Sequence, residues 1–351
     1  AIQSNYFEAI YNLGILLNER GKLKDAIRVF SKAITIKPYD VDAANSLGGV
    51  LLELERWKEA EVIFKKAISI RPNFAVGYNN IAFVQQNLGK SNDAIGNYQK
   101  AITLNPNYNE AYNNLGGVFA ELERWQEASE TFQKAVSIQP ENAEAHCNLG
   151  VAFSKQGRLD DATGSYKKAL ALKPDYAEAC SNYGAILQEL GQLDEAITYY
   201  QKALELKYDY PEAHINLGIV HQYLGKLKDA ISVYQEAISL KPDFADAYFN
   251  LHSVFLGSGD IEASIMNIKK AIDIEPSNTH YRFFLGVLLD YLGRSVEAEP
   301  HLDLAKKGTS SDRANIDAWH YIKSTTKQMP PMIGSSIQAF RAGIDAAVND
   351  G

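Results

Sequence analysis

NEAYNNLGGVFAELERWQEASETFQKAVSIQPEN, residues 109–142, decides the fold of this chain, because its pattern recurs with a period of 34 residues. One alanine of the pattern is present in every unit: Ala33, Ala67, Ala101, Ala135, Ala169, Ala203, Ala237, Ala271 and Ala305. A fixed period of this size is typical of an array of small stacked units rather than of one globular core. In such an array we expect function to lie on a long repeated surface.

Each unit has the spacing of two amphipathic helices. In residues 109–142, Leu115 and Phe119 belong to the first helical pattern, and Phe132 and Ala135 belong to the second. Glycine stands between the two patterns in most units and favours a tight turn at a helix end. Proline follows the second pattern in seven units and ends that helix, because it cannot continue the hydrogen-bond ladder. The sequence therefore predicts nine helical hairpins and an all-α fold.

Small residues in the first helix predict close packing against a ring in the second. Glycine stands midway along seven first helices: Gly14, Gly48, Gly116, Gly150, Gly184, Gly218 and Gly286. A bulky ring recurs in the second helix: Phe30, Phe64, Tyr98, Phe132, Tyr166, Tyr200 and Tyr234. Glycine lowers helix stability by about 1 kcal/mol, so close helix contact is the expected compensation.

The 34-residue period, NLG in the first helix and A…F/Y…A…P in the second resemble the tetratricopeptide repeat family across residues 7–312. The resemblance implies an α-solenoid, a right-handed superhelix in which the first helices line the concave groove. Residues 1–6 align with the tail of a preceding unit. Residues 313–351 predict capping helices or a connector: Ile316, Trp319 and Ile322 share one helix face, and a last helix is expected at about 335–348.

A polar column runs through the first helices, one residue before the recurrent leucine. It is asparagine in seven units: Asn12, Asn80, Asn114, Asn148, Asn182, Asn216 and Asn250, with Ser46 and Phe284 in the other two. A carboxamide offers both donors and an acceptor, so the column could hold the backbone of an extended peptide. It resembles the asparagine ladder of the O-linked N-acetylglucosamine transferase family, and that resemblance implies peptide binding. The alternative is that these asparagines bond neighbouring helices and set the superhelical pitch.

Other positions of the predicted groove would add selectivity. One helical turn further on, the side chains are again amides, at Asn18, Gln86, Gln188 and Gln222. Towards the C-terminal end the lining turns apolar, and Ile215, Phe249, Phe283 and Phe284 are candidates for an anchoring pocket unless residues 313–348 cover them. Acidic residues open most first helices, which complements the helix dipole and would favour basic ligands.

Composition and motifs exclude several function classes. A formal net charge of -8 argues against a nucleic-acid partner, and no apolar run reaches the length of a membrane span. The histidines are scattered, with no metal-ligand spacing, and no nucleophile set or phosphate-binding loop is present. We expect no metal, no cofactor and no catalytic activity in this chain. The two cysteines suggest reduced thiols and a cytoplasmic location.

Two functions compete. The first is a protein-interaction module that binds extended polypeptide segments in its concave groove. The second is the substrate-recruiting arm of a larger methyltransferase or glycosyltransferase, because residues 317–347 resemble the connector before a methyltransferase domain in some bacterial repeat proteins. An exposed edge on the first unit also predicts self-association.

Overall fold

The computed structural model describes residues 2–308, with side chains from Tyr6 onward, and all the regular structure in that range is α-helical. Its eighteen helices form nine consecutive pairs: α1 Ile2–Glu19, α2 Leu23–Ile36, α3 Val41–Glu53, α4 Trp57–Ile70, α5 Ala75–Asn87, α6 Ser91–Leu104, α7 Asn109–Glu121, α8 Trp125–Ile138, α9 Ala143–Lys155, α10 Leu159–Leu172, α11 Ala177–Glu189, α12 Leu193–Leu206, α13 Pro211–Tyr223, α14 Leu227–Leu240, α15 Ala245–Ser258, α16 Ile261–Ile274, α17 Thr279–Tyr291 and α18 Ser295–Ala305. The predicted all-α array of helical hairpins is confirmed.

The ends of the array add two observations. Helix α1 begins at Ile2, so residues 2–6 continue directly into the first helix, although their register is that of the tail of a preceding unit. The helices predicted between residues 313 and 348, and residues 309–312 of the ninth unit, lie outside the described residues. None of the described helices combines the length and the apolar composition needed to cross a membrane.

The chain divides into two compact units, Ala1–Pro174 and Asp175–Gly351. The N-terminal unit contains the five hairpins α1–α10, and the C-terminal unit contains the four hairpins α11–α18. We describe each unit by itself.

The turn inside each hairpin needs a left-handed residue. Seven hairpins place glycine there, with φ between 67° at Gly21 and 84° at Gly259. The other two place Glu55 and Glu123 at the same position, with φ of 54° and 56°. A residue with a Cβ is strained in this region, so these two turns store backbone strain that the glycine turns avoid.

The predicted contact between glycine and ring joins the two helices in six of the nine described hairpins. A Cβ built on Gly116 would lie 2.6 Å from Cε1 of Phe132, and one on Gly218 would lie 2.4 Å from Cε1 of Tyr234. Both rings are almost fully buried. The eighth hairpin reverses the arrangement, because the buried His252 replaces the glycine and the smaller Ile268 replaces the ring. A large side chain therefore fills this space from one helix or from the other.

First helices of successive hairpins touch one another directly. In the N-terminal unit α1 contacts α3, α3 contacts α5, α5 contacts α7 and α7 contacts α9, and in the C-terminal unit α11 contacts α13 and α13 contacts α15. Within each unit, a second helix that is followed by another described hairpin packs between the first helix of its own hairpin and that of the next. We call the solvent-exposed side of the row of first helices in each unit its inner face.

Candidate functional site

The asparagine column lies on the inner face as predicted by its spacing. Asn12 is exposed on α1, and the other six asparagines are half-buried on their helices. Each of these six is followed in its helix by a buried residue, which is leucine except for Ile81 in α5 and Tyr183 in α11, whereas Leu13 after Asn12 is about half exposed. We call this position the ladder position.

Three ladder asparagines bond the preceding first helix. Their Nδ2 groups donate to the carboxamide oxygen of the residue 35 positions earlier: Asn80 to Asn45 at 2.9 Å, Asn114 to Asn79 at 3.2 Å and Asn148 to Asn113 at 3.2 Å. In the first two hairpins the same offset joins the Tyr11 hydroxyl to Ser46 Oγ at 3.2 Å. The ladder of the N-terminal unit therefore joins neighbouring hairpins, which is the second of the two roles expected from the sequence.

This structural role uses only part of each carboxamide. An NH₂ group carries two hydrogens and the amide oxygen accepts two bonds, so one bond through Nδ2 leaves capacity for a ligand. Within the described residues no donor reaches Oδ1 of Asn114 or Asn148. In the C-terminal unit, the described residues provide no hydrogen-bond partner at all for the half-buried side chains of Asn216 and Asn250.

Carboxylates at both ends of the first helices are held by further amides. Asn79 Nδ2 donates to Glu110 Oε1 and Asn113 Nδ2 to Glu144 Oε1, each at 3.1 Å. At the other end of the helices, Asn18 donates to Glu53 at 3.3 Å and Gln86 to Glu121 at 2.6 Å. Every one of these bonds crosses from one first helix to the next. The inner face of the N-terminal unit is therefore a network of carboxamides and carboxylates.

The glutamines one helical turn after the ladder position have a packing role that was not predicted. The phenol groups of Tyr98, Tyr200 and Tyr234 donate to the side-chain oxygens of Gln86, Gln188 and Gln222, at 3.1–3.2 Å. Burial raises the pKa of all three phenols, so they remain neutral donors. These glutamines satisfy the buried hydroxyl groups, so one of the two acceptor sites of each amide oxygen is taken by the core.

The apolar candidates separate into two groups. Ile215 and Phe283 belong to the cores of their hairpins, with exposed fractions of 6% and 2%, so little of either side chain is accessible to a ligand. From their positions on the first helices, both side chains pack between neighbouring hairpins. Phe249 and Phe284 are half-buried and touch edge to face at 5.3 Å between ring centroids. The exposed His280 packs against both rings, at 5.4 Å and 4.8 Å.

Other reactive side chains are structural. Within residues 2–308 no group of three His, Cys, Asp or Glu side chains is placed to hold a metal ion. Cys147 and Cys180 are buried thiols outside any disulfide, and burial raises the pKa of Cys180. Burial also lowers the pKa of His214 and His221. On α1, Leu13 and Leu16 are about half exposed, which fits the predicted self-association without testing it.

Comparison with known proteins bears on the family to which this chain belongs. Models described as tetratricopeptide repeat or TPR repeat match residues 17–78, 63–96, 87–122, 116–157, 143–176, 175–243 and 245–278. Between residues 17 and 278 only residue 244 is unmatched. The chain belongs to the tetratricopeptide repeat family. It is a repeat scaffold for protein interaction, a class that is generally non-catalytic.

Solved structures agree on the fold. The alignment with the structure of Cut9–Hcn1, a hetero-tetramer of the APC/C, covers 76% of this chain and 52% of the matched chain, with a TM-score of 0.61 and 18% identity. PilF of Pseudomonas aeruginosa aligns with 57% of this chain and 92% of its own, with a TM-score of 0.53 and 22% identity. This chain thus spans about half the length of the Cut9–Hcn1 chain. No curated protein sequence matches significantly.

Sequence reasoning located the ladder but missed its partners. Asn45, Asn79 and Asn113 precede ladder positions and were not singled out. Each partner lies 35 residues before its ladder position, which is one repeat plus one residue, because adjacent first helices meet with that shift. A comparison of positions at this offset would reveal the pairs. A search at the repeat period alone does not detect them.

Proposed function

We propose that this protein binds extended polypeptide segments on its inner face, through the ladder asparagines. The observation that carries the proposal is the unused capacity of the ladder: Asn114 and Asn148 keep an amide oxygen and one N–H each without a partner among the described residues. Unused donors and acceptors on a half-buried side chain bond water in the free protein, and the backbone of a ligand can replace that water.

An extended ligand fits the regular spacing of the ladder. An extended peptide has no internal backbone hydrogen bonds, so its N–H and C=O groups are available along its whole length. A carboxamide can donate to the C=O and accept from the N–H of the same segment. Because the contacts go to the backbone, the ladder would tolerate many ligand sequences, and neighbouring side chains would supply the selectivity.

The test removes two ladder asparagines from each unit. Wild-type protein is compared with the variants Asn114→Ala/Asn148→Ala and Asn216→Ala/Asn250→Ala on an array of immobilised unstructured peptides. Peptides that bind wild type are then measured in solution by fluorescence anisotropy. We expect each alanine to weaken binding by ~2- to ~10-fold, the range for one neutral hydrogen bond.

Asn45→Ala is the matched control. It removes the acceptor of the Asn80 bond and leaves every ladder asparagine in place. We expect lower stability and unchanged peptide affinity for this variant. Absence of peptide binding by wild type, or an affinity equal to that of wild type in both folded double variants, would sink the proposal.

The alternative role as the recruiting arm of a transferase depends on residues 313–351, which lie outside the described residues. No observation within the described hairpins favours it. Binding of extended segments is therefore the function that we put forward.

A further inference from the structure

The first helices of the N-terminal unit carry charge of almost one sign. Among lysine and arginine, helices α1, α3, α5, α7 and α9 contain one residue, Lys155. They contain seven acidic residues, all exposed: Glu8, Glu19, Asp42, Glu53, Glu110, Glu121 and Glu144. The second helices of the same unit mix both signs. The negative charge is therefore concentrated on one row of helices.

The first and second helices of this unit also differ in the groups that bond their carboxylates. On the second helices, five carboxylates form ion pairs with Lys or Arg: Asp25, Glu59, Glu61, Glu127 and Asp161. On the first helices, Glu53, Glu110, Glu121 and Glu144 accept instead from neutral amides. Among the described ion pairs of this unit, only Asp42 with Arg71 involves a first-helix carboxylate, at 3.8 Å.

A neutral donor has a different electrostatic effect from a cation. An amide N–H orients a carboxylate and leaves its negative charge intact, whereas Lys or Arg neutralises it. A row of oriented, uncompensated carboxylates repels itself and raises the local concentration of cations. In each of the four described bonds only Oε1 is used, so Oε2 remains available for a second donor.

An exposed ring lies in the same row. Phe83 on α5 has an exposed fraction of 39%, and the equivalent positions on α3 and α7 are Gly49 and Gly117. A Cβ built on either glycine meets no atom within 4 Å, so open space flanks the position of the ring. An aromatic face of this kind attracts the guanidinium or ammonium group of a ligand side chain and packs against its aliphatic stem.

We infer that the inner face of the N-terminal unit recognises extended polypeptide segments rich in lysine and arginine. Their cationic side chains pair with Glu53 and Glu121 at one end of the first helices and with Glu110 and Glu144 at the other, and Phe83 supports one of them. Successive side chains of an extended segment point to opposite sides, so alternate residues reach the two ends. This inference rests on the proposed function and specifies its ligand class.

The test compares matched peptides and matched variants. The probes are a short fluorescent peptide in which pairs of consecutive lysine or arginine residues alternate with pairs of serines, so that basic side chains point to both sides, and its counterpart with glutamate at every basic position. The variant Glu53→Gln/Glu121→Gln keeps the side-chain shape and removes two charges from the inner face. Its control, Glu130→Gln/Asp160→Asn, removes two exposed carboxylates from the second helices α8 and α10; Glu130 is likewise held by an amide, that of Gln126 at 2.7 Å.

We expect wild type to prefer the basic peptide, with affinity falling as salt rises. Glu53→Gln/Glu121→Gln should weaken binding by ~2- to ~20-fold, the range for two exposed ion pairs, and the control should leave it unchanged. Equal affinity for both peptides, or equal losses in the variant and the control, overturns the inference. If wild type binds both peptides with equal affinity, only this inference is refuted and the proposed function stands, because peptide binding itself is retained. Circular dichroism checks that both variants are folded.

Discussion

Two neighbouring glycines of α7 allow the packing of a hairpin to be tested with a built-in control. Gly116 faces the Phe132 ring, where a new Cβ would lie 2.6, 2.7 and 2.9 Å from three ring carbons. At Gly117, one residue later in the same helix, a new Cβ meets no atom within 4 Å. Alanine at either site gains the same helix propensity, about 1 kcal/mol over glycine. The difference between the two variants therefore isolates the contact with the ring.

The expected loss of stability in Gly116→Ala follows from how far the new methyl group would overlap the Phe132 ring. Carbon atoms pack best at about 3.5–4.0 Å, so the ring or helix must move by roughly 1 Å to admit the new methyl group. Phe132 is only 2% exposed and has no solvent side to move into. Such overpacking costs about 1–3 kcal/mol. The third hairpin pairs Ala82 with Tyr98, both fully buried, so a hairpin can adapt and the low end of this range applies.

We expect Gly117→Ala to be more stable than wild type by about 1 kcal/mol, and Gly116→Ala to be less stable than Gly117→Ala by 1–2 kcal/mol. Changing Phe132 to isoleucine, the residue that occupies the ring position in the eighth hairpin, should remove most of this difference. Stability is measured by urea unfolding and by hydrogen exchange of peptides from α7 and α8, because an array does not unfold in one step. Equal stability of the two alanine variants would refute the packing argument, as would a penalty that persists in the Phe132→Ile background.

Two further outcomes follow from backbone strain and from burial. Glu123→Gly should raise stability by about 0.5–1 kcal/mol by relieving a left-handed φ, whereas Gly89→Ala at the same turn position of the preceding hairpin should lower it by a similar amount; thermal unfolding of both variants checks the opposite signs. Burial lowers the pKa of His252 to about 4. The unfolded chain, with a histidine pKa of about 6.5, then binds more protons between these pH values, so stability falls as pH drops from ~6.5 to ~4, by on the order of 3 kcal/mol. His252→Gly/Ile268→Tyr, which restores the glycine–ring pair, should reduce this acid sensitivity in urea titrations at each pH, and an unchanged pH dependence would contradict the assignment.

The sequence alone determined the hairpin array. Alanine at a fixed period, glycine opposite a ring and proline after the second helix are local signals, and each acts within one unit of 34 residues. Repetition turns them into a fold because every unit packs on a copy of itself. The ladder position could be predicted for the same reason: a side chain one residue before a buried leucine must lie beside the core and reach solvent.

Only the tertiary structure decided what those side chains bond to. The amide of Asn114 reaches Asn79 because adjacent first helices meet with a shift of one residue, which no single unit encodes. Burial of Phe283 and exposure of Phe83 likewise depend on the neighbouring hairpin and not on the hydrophobicity of phenylalanine. The charge of Glu121 is visible in the sequence, but its neutral partner Gln86 lies on another helix. Contacts within a repeat can be read from its period, whereas contacts between repeats depend on how the helices are offset when they stack.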